Sequence, residues 1–101
     1  MITKKELKSI DPRYFNIIST NCFAIYVQSK NTKHFWGIQL EEYPTFRHFK
    51  IYHKHNSYDQ YHRHRDARNL NAAIQHIKDH DAFQLNGRKP VRKNTKQIMI
   101  T

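Results

Sequence analysis

The chain has 101 residues and carries 18 Lys+Arg against 8 Asp+Glu, a formal net charge of +10 with its eight histidines counted as neutral. That length suits one small domain. Two Gly, three Pro and 13% aromatic residues exclude a collagen-like or Pro/Gly low-complexity chain and argue against disorder throughout, although the mean hydropathy is low at -0.93.

No apolar run approaches the ~20 residues of a membrane span, so no membrane is expected. A single cysteine, Cys22, excludes an intramolecular disulfide and fits a reducing compartment. The opening MITKKELKSI lacks the apolar stretch of a secretion signal. A cytoplasmic location is therefore expected.

In chain order, the first element reads as a short helix. Thr3 and Glu6 have the spacing of a capping box, and Leu7 and Ile10 form its apolar stripe. Asp11-Pro12 interrupts it. Tyr14, Phe15 and Ile18 then fit either a second helical turn or a strand through Phe15–Ile18, and so few residues do not decide by periodicity.

The middle alternates. In Cys22–Ser29, Phe23, Ile25 and Val27 oppose Cys22, Ala24, Tyr26 and Gln28. Residues 30–33 are a polar turn. In His34–Glu41, Trp36, Ile38 and Leu40 oppose Phe35, Gly37 and Gln39. After a second turn, Phe46–His55 sets Phe49 and Ile51 against His48, Lys50, Tyr52 and Lys54. Short turns between alternating runs imply antiparallel hairpins.

Asn56–His64 reads as polar and irregular. Asp66–His80 carries a helical stripe of Ala67, Leu70, Ala73, Ile74 and Ile77, and Asn86-Gly87 is a stop signal. The expected fold is α+β with order α-β-β-β-α: a three-stranded antiparallel sheet with the main C-terminal helix packed on one face. The expected division is one domain over 1–87 and a basic, mobile tail over 88–101, whose Ile98-Met99-Ile100 is apolar enough to dock.

If the helix covers the Trp36 side, Tyr26, Phe35, Gln39, His48, Lys50, Tyr52 and Lys54 share the other. Aromatics interleaved with bases suit nucleic acid, since rings stack on bases and cations neutralise phosphates. The stretch 47–68 adds six Lys/Arg and five His against two acids. Its Arg63, Arg65 and Arg68 are expected near the helix start, where backbone N–H groups also attract phosphate. The expected binding set is Arg47, His48, Lys50, Tyr52, Lys54, Arg63, Arg65, Arg68, Tyr26 and Phe35. Its ligand is DNA, RNA or another polyanion, with affinity rising as histidines charge in acid.

His64-Arg65-Asp66-Ala67-Arg68, placed at a helix start after three strands, resembles the signature of the double-stranded-RNA-binding domain, with His in place of its first Lys. The resemblance implies Arg65 and Arg68 bridging phosphates. A three-stranded sheet plus helix also looks like the sheet-type DNA readers of integrase N-termini.

His53-Lys54-His55 and His62-Arg63-His64 each place two rings on one strand face, and His76 and His80 are i,i+4 on a helix. Both are metal-ligand spacings. With Lys and Arg interleaved and no Cys or carboxylate motif, these histidines read as solvated, phosphate-facing or stacking, and no metal or cofactor is expected. His53-Lys54-His55 with Tyr58 or Tyr61 looks similar to HUH nicking enzymes, but the middle residue is Lys rather than apolar. A metal-dependent phosphodiesterase thus ranks behind a non-enzymatic nucleic-acid module. It also ranks behind a protein-binding or homodimerising module using the same aromatic face and an acidic partner.

Overall fold

The computed structural model describes residues 1–88. The order is α1 (Lys4–Lys8), β1 (Phe15–Thr20), β2 (Ala24–Ser29), β3 (Phe35–Glu42), β4 (Arg47–Lys54), β5 (His62–Ala67) and α2 (Leu70–Leu85). The strands form one antiparallel sheet in sequence order, each paired with the next. The expectation of three strands is overturned: there are five.

The two additional strands have different causes. Phe15 is buried at the start of β1, and the β-branched Ile17, Ile18 and Thr20 favour extended backbone. β5 has no apolar alternation, because its sequence is HRHRDA. It forms because β4 offers an edge of unpaired N–H and C=O groups. Its side chains, mostly histidines and arginines, alternate between faces except at a register slip beside His64. Residues 62–67 are thereby strand, and α2 begins at Leu70, with the Asn69 side chain accepting from the Ala72 N–H at 2.7 Å. His64-Arg65-Asp66-Ala67-Arg68 therefore does not open a helix, and the resemblance to the double-stranded-RNA-binding domain fails at the element that carried it.

Other expectations hold. Thr3 and Glu6 form the capping box, Asn86 caps α2, and Gly87 follows with φ of 68°. Ile25, Val27, Trp36, Ile38, Leu40, Phe49 and Ile51 form the buried sheet side, joined by Leu70, Ala73 and Ile77 of α2 and by Ile2, Ile10 and Phe15. Helix α2 lies beside β4 and β5. The N-terminal segment closes the rest, held where the Ile2 N–H donates to the Cys22 carbonyl at 2.7 Å. Phe23 departs from expectation. It precedes β2, is 51% exposed, and adjoins an exposed Cys22 that lies in a bend rather than a strand. The 88–101 tail, from residue 89 on, lies outside the described residues, as does the docking of Ile98-Met99-Ile100. Among the described residues, no helix is long and apolar enough to cross a membrane.

Candidate functional site

The face away from α2 gathers most of the expected binding set. Tyr26, Phe35, His48, Lys50, Tyr52, Lys54 and Arg63 occupy alternate positions of β2–β5, out of phase with the buried residues. Leu7 of α1 and the apolar stripe of α2 both join the opposite side. Gly37 makes room here: a Cβ at this position would sit 2.8 Å from Tyr26 Cε1, so the Tyr26 ring lies over bare backbone. Gln39 donates to the Tyr26 hydroxyl at 2.9 Å. Tyr61 leans on Tyr26 at 5.9 Å, and the Lys54 ammonium lies over the Tyr61 and Phe35 rings at 4.5 and 5.3 Å.

Several cations of this face are already neutralised. Lys50 Nζ meets Glu41 at 2.6 Å, and His48 Nε2 meets the same carboxylate at 3.4 Å. Arg63 pairs with Asp66. The Lys50 ammonium beside Glu41 holds that carboxyl below its usual range, as Arg63 does for Asp66. At the β3–β4 turn, Tyr43, Phe46 and His48 present near-parallel rings, with Tyr43 and Phe46 4.7 Å apart and both exposed.

Three expected residues lie elsewhere. Arg47 points to the α1 side, gripping both oxygens of Glu6 at 3.0 and 3.1 Å and the Met1 carbonyl at 3.2 Å, so it ties down the N-terminus. Arg65 faces α2, with Nη1 3.3 Å from His76 Nδ1. Arg68 is exposed between β5 and α2.

The histidines depart furthest from expectation. Seven of the eight surround Trp36 at one end of the space between sheet and helix, linked ring to ring. His34 enters β3 two residues before Trp36, and His53 lies opposite Trp36 on β4. His62 lies opposite His53 on β5. The register then slips: Tyr52 pairs with Arg63 and Ile51 with Arg65, leaving His64 as the extra residue of a bulge. A bulge of this kind keeps neighbouring side chains on one side. His64 and Arg65 accordingly both reach His76. His76 and His80 descend from one face of α2.

His53 is 2% exposed, with its ring 4.2 Å from Trp36 and 4.9 Å from His80. His34 Nδ1 lies 3.0 Å from His53 Nε2, a contact that requires one neutral donor and one acceptor. Burial pushes His53 down to about 2 and His64 to about 4, with neighbouring imidazoles adding to the shift. Burial also lowers His34, His76 and His80. At neutral pH these rings carry free lone pairs rather than charge. Among the described residues, His76 Nε2 and His80 Nδ1 are buried without a hydrogen-bond partner, each at a cost of roughly 1–3 kcal/mol.

One carboxylate stands behind them. Asp81 is fully buried and accepts from the Tyr14 hydroxyl at 2.6 Å and the Thr32 hydroxyl at 2.9 Å, while its charge acts on His34 and His80. Sequence reasoning recognised the histidine spacings but placed the rings in solvent. It missed Tyr43, Phe46 and Asp81, and weighed Tyr61 only in the likeness to nicking enzymes. The available signal was that His53 continues the period of buried Phe49 and Ile51, and that His76 and His80 lie at helical spacing from buried Ala73 and Ile77. Compared with known proteins, the chain matches no family model, no curated protein and no solved structure.

Proposed function

We propose that the protein is a non-enzymatic nucleic-acid-binding module, working in a reducing, cytoplasmic setting, that uses the sheet face opposite α2. One observation carries this reading: Tyr26, Phe35, Tyr52, Lys50 and Lys54 share that face on a chain of net charge +10, while both helices pack on the other side. Half-buried rings offer stacking surfaces, and Lys54 supplies a cation without a carboxylate partner among the described residues. The Tyr43–Phe46–His48 group extends the aromatic surface along the sheet. The buried and half-buried histidines His34, His53, His64, His76 and His80 lie on the α2 side, away from this face, so they do not supply the expected gain of affinity in acid.

Titration of labelled single-stranded and duplex DNA and RNA at two salt concentrations tests the reading. Affinity is expected to fall with salt, by about 0.9 in log K per log salt for each duplex phosphate neutralised. Absence of binding at low salt ends the proposal. A second reading, a homodimer, is favoured by edge strand β1, where Ile17 and Ile18 are 48% and 53% exposed. Its mark is a solution mass of twice 12.3 kDa.

A further inference from the structure

We infer that the histidine cluster around Trp36 is a binding site for a transition-metal dication of the zinc class, with His34, His53 and His80 as its ligands. The site is independent of the nucleic-acid face, on the other side of the sheet. One ring nitrogen from each of these three residues lies within 4.8 Å of the other two. Two nitrogens on a tetrahedral zinc ion, each at 2.0–2.1 Å from it, stand about 3.3 Å apart. The three nitrogens therefore stand close to the spacing that one shared ion requires.

The donors come from three separate elements: the entry to β3, the end of β4 and the middle of α2. Such a set can only be assembled by the tertiary fold, and an ion there clamps the helix to the sheet. The chemistry suits a borderline ion. All three donors are imidazoles, held neutral by burial, and neutral imidazole is the form that coordinates. Among the described residues the buried Nδ1 of His80 has no hydrogen-bond partner, and the His34–His53 contact joins two groups that would each serve a metal equally well.

Asp81 follows His80 directly and brings a buried carboxylate near the cation, while its two hydroxyl partners fix its orientation. On the solvent side His55 stacks on His34 at 4.2 Å, and exposed His55 and His62 rim the way in. A second triad, His53 with His62 and His64, has the same spacing and shares His53. It is the weaker set. His62 is exposed, and Arg65 lies against this side of the cluster, where its charge opposes a cation.

The test uses the full chain without a polyhistidine tag. Zinc binding is measured by calorimetry near neutral pH, and cobalt(II) serves as a spectroscopic stand-in whose intense visible absorption reports tetrahedral nitrogen coordination. One equivalent of zinc and a tetrahedral cobalt spectrum are expected. His34→Gln and His80→Asn should each weaken binding on the order of a hundredfold. His62→Asn should retain most of it. His48→Asn, on the opposite face, should leave it unchanged.

Because substitutions near the core can unfold a small domain, histidine ring resonances of the unsubstituted protein are followed by NMR during zinc addition. Those of His34, His53 and His80 should move together at one equivalent. Failure to bind either ion at one-to-one stoichiometry overturns the site. So does retained affinity in both His34→Gln and His80→Asn, or a loss in His62→Asn that matches theirs.

Discussion

The two sides of the sheet treat the same residue type in opposite ways. On the open face, His48 lies beside Glu41, and Lys50 forms an ion pair with the same carboxylate. On the helix side, His53, His64, His76 and His80 pack tilted or edge-on against Trp36 and one another, neutral, with two ring nitrogens unpartnered among the described residues. The first arrangement is a solvated ion-pair surface, which adds little to stability and weakens with salt. The second concentrates desolvated lone pairs in one place, which costs free energy unless something occupies them. The difference teaches that a +10 chain can hold a cation-accepting interior, because its histidines are discharged by burial.

The largest expected effect breaks the histidine side at its floor. Trp36→Ala removes the buried indole against which His53, His64 and His80 rest, and should cost about 3–5 kcal/mol, read as a lower urea midpoint. A loss under 1 kcal/mol would mean that the rings hold their places without it.

Acid should separate the two sides next. His53 and His64 titrate in the folded protein at about 2 and about 4, below the ~6.5 of an unfolded histidine. Unfolded chains therefore take up protons first. The stability these groups confer is complete above about pH 6.5 and is lost as pH falls toward about 4 and about 2, with about two protons bound on unfolding near pH 5. Thermal melts across this range check the sign: a Tm that rises on acidification contradicts it.

Gly37→Ala acts on the open face alone. The added methyl must displace the Tyr26 ring from its place against Tyr61 and Gln39, at about 1–3 kcal/mol. Nucleic-acid affinity should drop while zinc binding persists, and equal losses of both would deny that the two sides are independent. The smallest effect sharpens the open face. Glu41→Gln releases Lys50 and His48, and should steepen the salt dependence of nucleic-acid binding by up to about 0.9. An unchanged slope would show that Lys50 does not meet phosphate.

Much of the frame was legible in residue order. The Thr3/Glu6 cap, the three apolar runs and the Leu70–Ala73–Ile77 stripe each report a local period that burial reinforces. β5 was not legible, because HRHRDA has no apolar signal and its strand exists only by pairing with β4. With residues 62–67 read as loop and helix rather than strand, the helix start falls at Asp66, Arg65 falls at a helix N-terminus and the histidines fall in solvent. Arg47 was misjudged for a related reason: its partner, Glu6, is 41 positions away.

By itself, the sequence determined the charge, the α+β composition, the antiparallel core strands and which residues of β2, β3 and β4 share a face, since all of these follow from residue type and a period of two. Only the tertiary structure decided that His53, His64, His76 and His80 meet on one tryptophan, with His34, His55 and His62 joined to them ring to ring. Their convergence depends on strand register, on the bulge at His64 and on the rotation of α2. Those are set by pairing between distant segments, which no local pattern encodes.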